Sequence, residues 1–101
     1  MITFVNVFTV LPERQQEAFE NIKRVYTEVV RYQPGFISAR LLVSDDQVRV
    51  TAIAQWERVE DLLALRETQG FKDLHNEAYF EAIVSNDPHT YSTEIPITKS
   101  S

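Results

Sequence analysis

The chain has 101 residues, 44% of them hydrophobic and 25% charged, with a formal net charge of -5. That length suits one globular domain and leaves no room for separate cofactor and substrate modules, so any site lies inside one core or between copies. The acidic balance argues against a nucleic-acid or anionic-membrane partner, because both need a basic surface to displace counterions. The absence of cysteine excludes disulfides and thiolate metal sites and suits a reducing compartment, so the cytoplasm is the expected location.

Ile2 to Val10 is rich in β-branched and aromatic residues and stops at Leu11-Pro12, which reads as a first strand leading into a helix. From Glu13 to Tyr32 the apolar residues Ala18, Phe19, Ile22, Val25, Tyr26, Val29 and Val30 recur at three- and four-residue spacing, so this segment is an amphipathic helix that Pro34-Gly35 ends. Phe36 to Val43 and Gln47 to Trp56 read as an antiparallel hairpin around Ser44-Asp45-Asp46. Val48, Val50, Ala52, Ala54 and Trp56 point one way in the second of these strands, and Arg49, Thr51, Ile53 and Gln55 the other. A helical stretch starts near Val59, breaks at Thr68-Gln69-Gly70, and resumes through Phe71, Leu74, His75, Ala78, Ala82 and Ile83 until Asn86-Asp87-Pro88 closes it. His89 to Ile97 reads as the last strand, with Pro96 tolerable near an edge. Residues 1–97 then form one domain and Thr98 to Ser101 a frayed tail.

This βαββαβ order predicts an α+β, ferredoxin-like fold: a four-stranded antiparallel sheet with helices on one face. Ile2, Phe4, Phe8 and Val10 share one side of the first strand, yet Val5 and Val7 on the other side are also apolar, as is Ile53 of the third. Two apolar faces with helices for one predict a homodimer through the open sheet face. A monomer with a modestly apolar outer face, interrupted by Thr3, Thr9, Thr51 and Arg49, is the alternative.

Polar residues in apolar company are the candidates for chemistry. Asn6 lies between Phe4 and Phe8 on the bulkier side of its strand, where its amide needs a partner from the fold, from water or from a ligand. His75 shares a helical stripe with Phe71, Leu74 and Tyr79; it suits a hydrogen-bonded core residue, or a base or ligand near neutral pH. Trp56 offers a flat apolar wall and one N–H donor. His89 and Tyr91 share a strand face and read as structural. Two histidines without spaced carboxylates or thiols make no protein metal site by known ligand spacing. No G-x-G-x-x-G, P-loop or G-x-S-x-G occurs, which removes nucleotide binding and nucleophile-elbow hydrolysis.

The opening Phe4-Val5-Asn6-Val7-Phe8-Thr9-Val10, the corner Gln33-Pro34-Gly35-Phe36-Ile37-Ser38-Ala39, the strand end Ala54-Gln55-Trp56-Glu57 and the segment Asp87-Pro88-His89-Thr90-Tyr91 resemble the antibiotic biosynthesis monooxygenase family of the dimeric α+β barrel class. The resemblance covers nearly the whole chain. It implies a cavity between sheet and helices, with Asn6, Trp56 and His75 as catalytic groups and Phe8, Tyr26 and Tyr79 as substrate-binding walls. It also implies oxidation of a small aromatic, quinol or polyketide-like metabolite by molecular oxygen without cofactor. His75 would be the base, and Asn6 and the Trp56 indole the donors to the substrate anion. The polyketide-oxidising branch of the family carries an asparagine where this chain has Ala52 and a tyrosine where it has Leu62. A haem-degrading branch matches Asn6 and His75, the latter as an iron ligand, but has a tryptophan in place of Leu65. Haem oxygenation through His75, and a non-catalytic small-molecule-binding domain of the same fold, are the alternatives.

Overall fold

The computed structural model describes residues 1–100. Strands β1 (Ile2–Val10), β2 (Phe36–Val43), β3 (Arg49–Trp56) and β4 (Ile83–Tyr91) form one sheet in the order β2-β3-β1-β4, with every neighbouring pair antiparallel. Helix α1 (Gln15–Glu28) and the short helices α2 (Val59–Leu65), α3 (Gln69–Leu74) and α4 (Glu77–Phe80) pack on one face. This is the expected α+β ferredoxin-like plan. No helix among the described residues is long and apolar enough to cross a membrane.

Period-two alternation sorts the strands into an inner and an outer face. Val50, Ala52, Ala54 and Trp56 of β3 are 0–1% exposed, whereas Thr51, Ile53 and Gln55 between them are only partly covered. Phe4, Phe8 and Val10 join this core from β1, and Ala18, Ile22 and Val25 meet it from α1. Burying each large side chain contributes roughly 1.5–3 kcal/mol, so the sheet–helix seam carries most of the stability. On the outer face Val5, Val7 and Ile53 are half-buried beside the exposed Leu42, Asp87, His89 and Tyr91, with no helix over them.

Several boundaries differ from the sequence expectation: α1 starts at Gln15 rather than Glu13 and β3 at Arg49 rather than Gln47, and three further differences are larger. The first helix does not run to Tyr32: it ends at Glu28, and Val30–Tyr32 forms a 3-10 turn. The β-branched Val29 sits off helical geometry there, and Gln33 Nε2 donates to its carbonyl at 3.0 Å. The second helical stretch is broken twice. Besides Thr68, whose hydroxyl accepts from the Phe71 N–H, Asn76 caps a separate turn by accepting from the Tyr79 N–H.

The largest correction concerns the last strand, which spans Ile83–Tyr91 rather than His89 to Ile97. Asn86-Asp87-Pro88, residues of turn chemistry, pair instead along β1, with Pro88 opposite Asn6 and Asn86 opposite Phe8. Because β4 is an edge strand, the missing Pro88 N–H costs no ladder bond on its free side. Residues 92–100 carry no helix or strand, so Pro96 lies outside the sheet, although Thr3 Oγ1 donates to Glu94 Oε1 at 3.2 Å. Irregular chain thus begins before Thr98; of the expected tail, Ser101 lies outside the described residues.

Candidate active site

Between sheet and helices lies a hollow of about 380 Å³, toward the lower end of the range for small-molecule sites. All six residues singled out from the sequence line it: Asn6, Phe8 and Trp56 from the strands, Tyr26 from α1, and His75 and Tyr79 from the short helices. Strand parity explains the first group. Phe4, Asn6 and Phe8 all point inward along β1, and Asn6 stands opposite Ala52 of β3, whose small side chain leaves room above it.

Trp56 ends β3 and is 1% exposed, with the Phe36 ring edge-on at 5.4 Å and 73°. Gly35, just before Phe36, adopts φ 84°, a left-handed conformation that glycine tolerates. The Asp61 side chain occupies the space where a Cβ would stand. That contact brings α2 close to the strand corner, and Leu62 and Leu65 of the same helix line the hollow.

Two polar atoms in this apolar setting are buried without a hydrogen-bond partner: Asn6 Oδ1 and Trp56 Nε1. One is an acceptor and the other a donor. A buried polar atom left unpaired costs roughly 1–3 kcal/mol, and native folds rarely carry such atoms without a reason. Both residues line the same hollow, so a ligand with one hydroxyl and one oxygen acceptor would satisfy the pair. The enclosed atom of the indole is a donor and that of Asn6 an acceptor, while the same amide also carries an N–H₂ donor.

His75 closes α3, and its Nδ1 lies 2.9 Å from the Phe71 carbonyl oxygen. A carbonyl only accepts, so Nδ1 carries the proton and Nε2 is left as the basic nitrogen. The ring stacks on Phe71 at 3.8 Å and tilts against Tyr79 at 4.4 Å. Burial holds its pKa below the ordinary 6.5, against the opposing effect of the Phe71 hydrogen bond, so the imidazole is neutral at pH 7. Burial also pushes the Tyr26 hydroxyl up to about 12 and raises that of Tyr79, with Tyr26 adding to the latter; both phenols stay protonated. Among the described residues no three His, Asp or Glu side chains cluster as a metal site would need.

The hollow also has lining residues that the sequence did not flag. Arg66, Phe80, Asn86 and Pro88 border it and are exposed to solvent on their other sides. Asn86 and Pro88 escaped because Asn86-Asp87-Pro88 reads as a turn; with the true register, their parity with Phe8 and Asn6 would have placed them. Arg66 lies outside the apolar stripe and left no periodic signal. The outer-face pair His89 and Asp87, 2.8 Å apart, and Tyr91 are not among the lining residues.

A four-stranded ferredoxin-like sheet roofed on one side by helices, with an aromatic-walled hollow between the layers, defines the dimeric α+β barrel class of fold. Within that class, the sequence profile of the antibiotic biosynthesis monooxygenase family matches residues 1–77. The chain belongs to this family. It is 38% identical over 65 residues to tetracenomycin-F1 monooxygenase of Streptomyces glaucescens, a match covering 64% of this chain and 58% of that protein, so it spans little more than half the relative's length. Its fold is similar to that of SnoaB, a cofactor-independent oxygenase from Streptomyces nogalater, with 22% identity, 97% of each chain covered and a TM-score of 0.72. It is also similar to a conserved protein from Methanosarcina mazei Go1, at 19% identity, 92% of each chain and a TM-score of 0.78.

Proposed function

We propose that this chain is a cofactor-independent monooxygenase that oxidises a small phenolic aromatic, quinol or polyketide-like metabolite with molecular oxygen, working as a homodimer joined through the outer sheet face. The observation that carries the reading is the pair of unpartnered buried atoms, Asn6 Oδ1 and Trp56 Nε1, in one apolar hollow with His75. The family, and the oxygenases among its similar proteins, support oxygenation as the reaction class. The half-buried Val5, Val7 and Ile53, uncovered by any helix, support the dimer.

In this mechanism His75 Nε2 removes a phenolic proton, the Trp56 N–H donates to the anion that forms, and Asn6 Oδ1 accepts from a neighbouring hydroxyl to fix the ring. Phe4, Phe8, Leu62 and Leu65 exclude water, which strengthens each of these contacts. The electron-rich anion passes one electron to oxygen. Collapse of the resulting pair of radicals forms a C–O bond at a ring methylene, and the hydroperoxide loses water to leave a carbonyl. One oxygen atom stays in the product and the other departs as water, so no external reductant enters.

Haem chemistry has less support. A macrocycle with polar groups confined to its rim would leave both buried atoms unpaired, and Leu65 stands where the haem-degrading branch has its tryptophan.

Oxygen uptake with a panel of anthrones and hydroquinones, corrected for autoxidation, tests the proposal. Wild type should consume one oxygen per substrate. His75→Ala should lose about 100-fold or more in kcat/KM, and Asn6→Ala should also fall, with both folds intact. Because His75 must be unprotonated, the acid limb of kcat/KM should have its midpoint below 6.5 and vanish in His75→Ala. Tight binding of phenols with no oxygen uptake would leave a non-catalytic binding domain; a shifted Soret band on adding haemin, lost in His75→Ala, would favour the haem alternative.

A further inference from the structure

Arg66 caps the C-terminal end of α2, is exposed, and is the sole charged side chain among the described residues lining the hollow. Among the acids near it in the chain, Asp61 meets Arg58 at 3.4 Å, Glu67 meets Lys72 at 3.7 Å and Asp73 meets Gln69 at 2.7 Å. No ion pair holds Arg66 among the described residues; Arg14, Arg24 and Arg58 each meet a carboxylate, and of the arginines that do not, Arg66 alone lines the hollow. No carboxylate lines the hollow. On a chain of net charge -5, whose overall field repels anions, this guanidinium is the one group lining the hollow whose charge favours an anion.

The two unpaired polar atoms in the interior give this cation its meaning. Asn6 Oδ1 and Trp56 Nε1 are fully enclosed, whereas Arg66 stands at the solvent side of the same hollow. A ligand serving all three is an aromatic with hydroxyl or carbonyl oxygens at its buried end and an anion at its outer end. The planar fork of a guanidinium matches a carboxylate with two parallel hydrogen bonds. We propose that Arg66 determines specificity by anchoring a carboxylate on the substrate's outer ring, so that the preferred substrates are aromatic acids rather than neutral phenols. This rests on the reading of the hollow as an aromatic site and adds its polarity. The residue binds and orients; it takes no part in the proton or electron transfers.

Equilibrium binding of anthraquinone-2-carboxylate and of its methyl ester tests the proposal apart from catalysis, because both are already oxidised. Trp56 is the single tryptophan and lies in the wall of the hollow, so its fluorescence reports occupancy directly. Wild type should bind the acid about fivefold more tightly than the ester, the scale of one exposed ion pair, and the preference should shrink as salt rises. Arg66→Gln should abolish the preference by weakening acid binding more than ester binding, and Arg66→Lys should keep part of it. Equal affinity for acid and ester in wild type, or a preference that survives Arg66→Gln, would overturn the proposal and leave Arg66 as a cation at a helix end. Failure of both quinones to bind would overturn the aromatic-site reading and this inference with it.

Discussion

On the sheet side of the hollow, Trp56 is 1% exposed and its neighbours Ala52 and Ala54 are fully buried, all on a strand paired along both edges. On the helical side, α1 contributes Val25 and Tyr26, but the rest of the wall is built on three helices of 7, 6 and 4 residues, and His75 sits half-buried in the break between the last two. Helices this short are not stable alone and exist only through packing and caps such as Thr68 and Asn76. The groups that would stabilise charge therefore ride on the more rigid layer, and the group that would move a proton rides on the more adaptable one. Donors fixed before the reaction need no reorganisation during it, and short helices held by packing and caps open locally at lower cost than a strand paired on both edges.

Equilibrium unfolding in urea breaks this contrast most severely. Trp56→Ala should cost about 3–5 kcal/mol, the usual range for emptying a fully buried aromatic site, and so remove a large share of a domain's net stability. His75→Ala should cost about 1 kcal/mol, since a half-buried ring loses one carbonyl hydrogen bond and its contacts with Phe71, Tyr79 and Phe80. Equal losses at the two positions would show that the walls are equally rigid and remove the basis for the comparison.

A smaller effect, opposite in sign, is expected on the sheet side. Asn6→Leu keeps nearly the same shape and deletes an acceptor that is buried without a partner, so it should raise stability by about 1 kcal/mol while abolishing oxygen uptake. A fold that tolerates a costly group only for function gains when that group is removed. A loss of stability in Asn6→Leu would show that the amide is satisfied within the fold, through water or otherwise, and has a structural purpose.

The sheet side was also the more legible in the sequence. The alternation from Val48 to Trp56 assigns the inner face of β3 without ambiguity, and Phe4, Asn6 and Phe8 share parity on β1, so the polar pair could be placed from spacing alone. His75 could be put on the right stripe because it shares the spacing of Phe71 and Tyr79. What escaped depended on contacts distant in the chain. Asn86-Asp87-Pro88 has the local chemistry of a turn, and only the open edge of β1 makes it a strand; the last strand was consequently set six residues late and Asn86 was lost from the site. The second helical break at Asn76 reflects a single capping side chain inside an otherwise continuous apolar stripe. Arg66 is one arginine among several, and nothing but its position beside the hollow sets it apart.

Nitrogen-15 NMR of the lone indole reads the unpaired Trp56 donor itself, because one tryptophan gives one indole N–H signal. Titration with a hydroxyanthraquinone should move that signal downfield to saturation as the unpaired Trp56 N–H acquires an oxygen acceptor, and Asn6→Leu should weaken the binding that drives the shift. A ligand that binds with the Trp56 signal unmoved would show that the hollow is occupied without using its unpaired donor, and the chemistry assigned to it here would fall.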